Sequence, residues 1–174
     1  MPTTFIALGA NLDNRLANLQ AAKIRLAAHP KIKITDQSHL YETAPIGGPP
    51  GQSAYLNAVI NIETSLSPLD LHHLTSSIEQ NLGRERTTPN APRIIDIDIL
   101  TFGDATIDTS ELTIPHPRLH TRLFVLIPFH DIAPTLLIPS LHRTVSQLKT
   151  DVIAKLTPQQ ITEQVRQYRS AGQW

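Results

Sequence analysis

The sequence contains no cysteine in its 174 residues. Disulfides, thiolate nucleophiles and cysteine-ligated metals are therefore excluded, and the chain suits a reducing compartment. Aromatic residues amount to 5%, which is poor material for a face that stacks nucleic-acid bases. Charge of either sign fails to dominate, with Lys+Arg and Asp+Glu at 15 each. No global field draws such a chain to nucleic acid or a membrane, so an anionic ligand must be held by a local cluster of cations. No apolar run is long enough to span a bilayer, and the first residues lack the basic-then-apolar pattern of a signal peptide; a cytoplasmic address is expected. Neither a phosphate-binding loop nor a kinase-type glycine loop occurs, and no spacing supports a Ser-His-Asp triad. Glycine is scarce beside proline, 7 against 14, which implies stiff connections rather than floppy linkers. With a hydrophobic content of 40%, the remaining composition is that of one globular domain.

What is present centres on Pro92–Leu100, Pro-Arg-Ile-Ile-Asp-Ile-Asp-Ile-Leu. Isoleucine favours strands, and on a strand successive side chains alternate faces. Ile95, Ile97 and Ile99 then point one way, and Asp96 and Asp98 the other. Two carboxylates about 7 Å apart along one strand face repel unless a cation joins them. Oxygen ligands alone suit a hard ion, Mg²⁺ above all. Arg84, Arg86 and Arg93 lie upstream, and His116 and Arg122 downstream. Carboxylates for metal beside guanidinium forks for phosphate oxygens are the equipment of phosphoryl transfer.

Thr3–Leu8 reads as a first strand closed by the Gly9-Ala10-Asn11 turn, and Asn14–Ala28 as a helix with Leu16, Leu19, Ala22, Lys23 and Leu26 at helical spacing, Lys23 snorkelling to the edge of the stripe. Lys31–Leu40 is a second strand and Tyr55–Thr64 a third. Between them runs a Pro/Gly-dense loop of the kind that covers sites. Ser67 caps a second helix with Pro68 in its first position, Leu71, Leu74, Ile78 and Leu82 form its stripe, and Gly83 stops it. The Asp96/Asp98 strand follows. A short hairpin through Ile107 and Leu112–Ile114 comes next, then a helix over Arg118–Ile127 and a short strand at Leu136–Ile138. After Thr157-Pro158, Ile161, Val165 and Tyr168 mark one face of a terminal helix. The order β-α-β-β-α-β gives an α+β, ferredoxin-like sandwich, its sheet mainly antiparallel and its helices on one face, with C-terminal additions. Residues 1–157 are expected to form the catalytic domain and 158–174 a helical extension of unknown role.

Pro92–Leu100, followed by Leu112-Thr113-Ile114-Pro115-His116-Pro117 and Arg122, resembles 6-hydroxymethyl-7,8-dihydropterin pyrophosphokinases, enzymes of folate biosynthesis. Ala7–Leu12, Tyr41–Pro45, Tyr55–Ala58 and the run from Ile78-Glu79 to Gly83-Arg84 match in the same order, so the resemblance spans about Thr3 to Leu156. It implies a ferredoxin-like fold and transfer of diphosphate from ATP to the pterin's hydroxymethyl group, releasing AMP. It further implies that Asp96 and Asp98 hold two Mg²⁺ and act in catalysis with Arg84 and Arg93. Arg84, Arg93, His116 and Arg122 would grip ATP, assisted by Glu79, while Ile99, Leu112 and Thr113 line the adenine slot. The pterin would meet Thr43, Pro45 and Ile46, stack on Tyr55 and Phe124, and be read by Asn57. Members often carry Trp in the loop before Pro-Arg; here Asn90-Ala91 stands there, and the loop Arg86–Ala91 is expected to order only when nucleotide arrives. The expected partners are small-molecule substrates, without nucleic acid or membrane, on a monomer. Two other classes remain open from the residues alone: another Mg²⁺-dependent nucleotidyl or phosphoryl transferase, and, disfavoured by charge and aromatic content, a ferredoxin-like RNA-binding module.

Overall fold

The computed structural model describes residues 1–46, 50–83, 92–169 and 174. Among these, the main sheet contains β1 (Thr3–Ala10), β2 (Ile32–Gln37), β3 (Leu40–Thr43), β4 (Tyr55–Thr64) and β5 (Asp96–Phe102). Strands β1 and β4 lie side by side at its centre. Strand β5 flanks β1, while β2 and β3 both pair with β4, every pairing antiparallel. This is the expected ferredoxin-like order, with the single second strand of the sequence reading divided in two. Helices α1 (Arg15–Ala27) and α2 (Pro68–Asn81) cross one face.

Alternation along the strands builds that face. Ile6 and Leu8 of β1, Leu56, Ala58, Ile60 and Ile62 of β4, and Ile97 and Ile99 of β5 form one buried cluster with Leu19, Ala22 and Leu26 of α1 and Leu71 and Ile78 of α2. Both stripes are those the helical spacing predicts. The caps also follow the sequence: Asn14 Oδ1 accepts the Ala17 N–H, Ser67 Oγ accepts the Asp70 N–H, and Gly83 ends α2 at φ +91°. That φ is left-handed backbone, which glycine adopts at little cost.

The sequence reading placed helices on one face only, but the second face is covered as well. Two-residue strands β6 (Ile107–Asp108) and β7 (Thr113–Ile114) form a hairpin after β5, and α3 (Leu123–Ile132) follows a 3-10 turn at Leu119–Thr121. A second hairpin, β8 (Leu137–Ile138) with β9 (Arg143–Thr144), leads into α4 (Val145–Ile153). Phe129 of α3 sits with its ring centroid 4.9 Å from that of Phe5. Leu126, Val145 and Leu148 complete this second core against Val59 and Leu100. The helix expected over Arg118–Ile127 thus begins later and runs through Pro128. Proline cannot donate to the carbonyl four residues earlier, but packing of an almost wholly apolar helix outweighs that loss.

A larger correction concerns the chain's last part. The capping box of Thr157 and Gln160 is present, but the helix it starts, α5, stops at Gln164. Val165–Tyr168 is instead a strand, β10, paired with β3 at the sheet's edge. Spacing by four and three residues suits a helix in isolation; an open edge on β3 offered backbone partners that spacing does not reveal. Trp174 lies in the first core at 7% exposure, its indole N–H donating to the Ser38 carbonyl at 2.8 Å. Lys23 Nζ stands 4.5 Å from the centre of its ring. Trp174→Ala should therefore destabilise the protein by about 3 kcal/mol, read from urea unfolding; a loss below about 1 kcal/mol would show that the indole contributes little to the core.

Candidate functional site

Strand register assembles the site on the face away from α1 and α2. Gly9 of β1 faces Asn57 of β4 on one side and Asp96 of β5 on the other; Ala7, two residues back, faces Val59 and Asp98. Asp96, Gly9 and Asn57 thus form one row across three strands, and Asp98, Ala7 and Val59 the next. The side chains of Asp96 and Asp98 share a face, as the alternation predicted. Above these rows lies a pocket of about 290 Å³. Its sheet side includes Thr43, Tyr55 and Asn57, its charged side Arg93, Asp96 and Asp98, and its roof Arg118, Arg122 and Phe124 from the turn and helix α3.

The charged half is an ion-pair network. Arg93 Nη1 bonds Asp96 Oδ2 at 2.7 Å. Arg122 Nη1 and His116 Nε2 stand 3.7 and 3.8 Å from Asp98 Oδ2. Burial works against charge on Arg93, but Asp96 and Tyr55 outweigh it and hold the guanidinium above its ordinary pKa. Arg122 is shifted down, first by burial and then by Arg118, with Asp98 and Asp96 opposing. His116 owes its place to an irregularity in β5: Phe5 pairs with Thr101 but Ile6 with Ile99, leaving Leu100 as an extra residue. The Leu100 carbonyl accepts the His116 N–H at 2.8 Å, which sets the imidazole beside Asp98. Such bulges aim side chains that a regular ladder could not.

Burial, followed by the charges of Arg122 and Arg118, pushes the His116 pKa down to about 4. Its Nδ1 accepts the Arg118 N–H at 3.1 Å. The proton of the neutral ring therefore sits on Nε2, a donor aimed at the site's anions.

The other half is built to hold an amide still. Asn57 Nδ2 donates to Thr43 Oγ1 at 2.6 Å, both residues buried. A Cβ on Gly9 would come within 2.7 Å of Asn57 Oδ1, so only glycine leaves room for that amide to lie over β1. Tyr55 and Phe124 line the same space, with Arg122 5.4 Å from the Phe124 ring centre. Ile46 is at the rim and exposed.

Not every expected residue meets here. Pro45 is half-buried beside lining residues Ala44 and Ile46 without lining the pocket itself. Ile99 turns into the first core, with Leu112 packed against it, and Thr113 is on the β6–β7 hairpin. Glu79 is 4% exposed and accepts the Ile97 N–H at 2.7 Å, so from α2 it fixes the start of β5. Arg84, Arg86 and the rest of the loop up to Ala91 lie outside the described residues. Conversely, Ala7, Gly9, Arg118 and Thr121 line the pocket and were not singled out as site residues. Gly9 was legible in the Gly9-Ala10-Asn11 turn and Arg118 in its place after Pro115-His116-Pro117; Ala7 and Thr121 carried no distinguishing mark.

Asp96 and Asp98 present only oxygen, and among the described residues no third His, Cys, Asp or Glu completes a protein-only cage. That donor set fits Mg²⁺, which takes one or two carboxylates and completes its shell with phosphate and water. Nor, among the described residues, is any helix long and apolar enough to cross a membrane.

The tautomer is directly measurable. Imidazole nitrogen-15 shifts of the metal-free protein should show His116 neutral with its proton on Nε2 at pH 7, and still neutral near pH 6. A doubly protonated ring at pH 6 would contradict the arrangement.

Residues 5–134 match the family model for 7,8-dihydro-6-hydroxymethylpterin-pyrophosphokinase. The chain is 43% identical over 128 residues to the 2-amino-4-hydroxy-6-hydroxymethyldihydropteridine pyrophosphokinase of Bacillus subtilis, covering 74% of this chain and 76% of that one. Against the enzyme of the same name from Haemophilus influenzae it is 38% identical over 153 residues, covering 88% and 92%. In fold it is similar to the crystal structure of wild-type Plasmodium falciparum HPPK-DHPS with pteroate, at a TM-score of 0.76 and 17% identity. That match covers 95% of this chain and spans 47% of the larger protein. Neither the RNA-binding reading nor a different transferase is favoured by these likenesses: the chain belongs to the 7,8-dihydro-6-hydroxymethylpterin-pyrophosphokinase family, enzymes of folate biosynthesis that use ATP as co-substrate.

Proposed function

We propose that the pocket is where this pyrophosphokinase joins its substrates, with ATP's phosphates over Asp96 and Asp98 and the pterin between Tyr55, Phe124 and Asn57. The observation that carries this reading is the meeting of an acidic, arginine-lined half and an amide-reading half in one pocket. In the pterin half, Asn57, fixed by Thr43 and by the bare backbone of Gly9, presents its amide to the edge of a ring. Tyr55 and Phe124 supply aromatic surface for the faces of that ring. Thr43 and Ile46, with Pro45 behind them, close the wall at the end of β3.

In the phosphate half, Asp96 and Asp98 would hold two Mg²⁺, which would neutralise the triphosphate and polarise its phosphorus atoms. Arg93 and Arg122 then exchange their carboxylate partners for phosphate oxygens, for which the guanidinium fork is suited. His116 donates from Nε2, Arg84 adds a further cation as the family resemblance implies, and Glu79 acts from behind by holding β5. Adenine lies along the outer backbone edge of β5 at Ile99, beside Leu112 and Thr113, while the Ile99 side chain stays in the first core. The hydroxymethyl oxygen forms its bond to the β-phosphorus as that atom's bond to the α-phosphate oxygen breaks. AMP departs, and the hydroxyl proton passes to solvent. Catalysis is mostly positioning and charge stabilisation, and no side chain is required as a base.

The direct test mixes the protein with ATP, Mg²⁺ and 6-hydroxymethyl-7,8-dihydropterin and separates the products. AMP and the pterin diphosphate in equal amounts are expected; ADP with a pterin monophosphate would refute the transfer. Asp96→Asn and Asp98→Asn should each keep the fold and lower turnover by at least about a hundredfold, since charge developing in the transition state loses its counter-ions. Turnover near the parent's in either folded variant would remove that carboxylate from the metal site. Gly9→Ala should displace the Asn57 amide and weaken pterin binding by about tenfold, with nucleotide affinity little changed. Equal losses for the two ligands would show that Gly9 serves the whole site and not the pterin half.

A further inference from the structure

Asn11 lies one residue beyond β1, and it joins the two halves of the pocket without lining either. At 3% exposure it is buried, and its polar groups are divided between two distant segments. Its Oδ1 accepts the Arg93 N–H at 2.8 Å. Its own N–H donates to the Arg93 carbonyl at 3.1 Å. The same side chain's Nδ2 donates to Gln52 Oε1 at 3.2 Å and to the Ser53 carbonyl at 3.3 Å. Arg93 leads into Asp96, and Ser53 leads into Tyr55 and Asn57. One planar amide therefore clamps the backbone that delivers the phosphate half to the backbone that delivers the pterin half.

We infer that Asn11 is a positioning residue for diphosphate transfer: it sets the spacing between the pterin wall and the phosphate wall. The inference rests on the assignment of those walls made above. The chemistry of the residue suits the task. An amide offers an acceptor and two donors on one rigid plane, whereas a carboxylate lacks the donors and a hydroxyl is too short to serve both segments. The reaction also demands it, because acceptor oxygen and phosphorus must meet in line, and a displacement of about 1 Å costs on the order of a hundredfold in rate. Each wall can bind its own ligand without Asn11. What is lost is their mutual register, so the effect falls on the chemical step and not on either binding step.

Asn11→Asp isolates this role. The carboxylate keeps the shape and the acceptor for the Arg93 N–H but removes both Nδ2 contacts, freeing the segment before Tyr55. With the full chain, ATP, Mg²⁺ and the hydroxymethyl pterin, the single-turnover rate constant at saturation should fall at least about tenfold, while KM for each substrate stays within about threefold. A lower folded fraction would reduce the amplitude and leave the rate constant unchanged, so a purely structural role is distinguishable. A rate constant within about twofold of the parent's, or a loss appearing only in KM, would overturn the inference. If Asn11→Asp does not fold, Gln52→Leu decides: it removes one Nδ2 partner from the loop side and should lower the same rate constant, and an unchanged value would overturn the inference. Failure of the parent protein to form AMP and the pterin diphosphate would instead defeat the reading of the pocket.

Discussion

The pairing of β1 with β5 on one side and β4 on the other is the constraint on which the rest of the site depends. Neighbouring strands stand about 4.8 Å apart, so the row Asp96–Gly9–Asn57 spans about 10 Å from carboxylate strand to amide strand. That is room for two ligands meeting end to end over β1, provided β1 itself puts nothing in the way. Gly9 and Ala7, the two residues of β1 beneath the rows, are the smallest available. A one-residue slip in the β1–β5 pairing would turn the carboxylates into the core and the isoleucines into the pocket, and one in the β1–β4 pairing would do the same to Asn57. The buried isoleucines of β5 thus keep Asp96 and Asp98 facing the site, since their burial among α1 and α2 fixes the register.

Much of this was legible in the sequence because strand alternation and helix stripes are local signals with global meaning. Asp-Ile-Asp-Ile declared both its faces, and the capped helix Pro68–Asn81 declared its start, its stripe and its stop. The likeness to a known family then supplied roles that spacing alone could not. The misreadings arose where partners distant in sequence decide the outcome. Ile161, Val165 and Tyr168 fit a helix until the open edge of β3 claims the last two. Pro128 argued against a helix that packing nonetheless sustains. His116 could be picked out, but its setting depends on the extra residue Leu100, and no sequence pattern marks such a bulge.

The face opposite α1 and α2 shows how a small sandwich acquires a site. Without α3 and α4, Phe5, Val59 and Leu100 would be open to water, and the row of carboxylates would lie on a flat, wet surface. With them, the same face is part core and part pocket. Phe129 and Leu126 fill the space over Phe5, while Phe124 and Arg122, at the start of α3, overhang the charged row. Excluding water there strengthens each ionic contact, because fewer solvent dipoles screen it. It also explains the depressed His116 pKa, since a third positive charge beside Arg122 and Arg118 finds too little solvent to support it.

The arginines and carboxylates of the pocket hold one another. Arg93 on Asp96, and Arg122 near Asp98, relieve a repulsion that two carboxylates on one strand face would otherwise impose on β5. These contacts are partly exposed and contribute modestly to stability. Their consequence for binding is larger. On the proposed reading, Asp96 and Asp98 would give up their arginines when they hold a cation, leaving Arg93 and Arg122 to take phosphate oxygens. Either exchange alone would be costly, because metal without phosphate would strand the arginines and phosphate without metal would face the carboxylates. On that reading the network would favour metal and triphosphate arriving together, because the carboxylates face the one and the three arginines Arg93, Arg118 and Arg122 face the other.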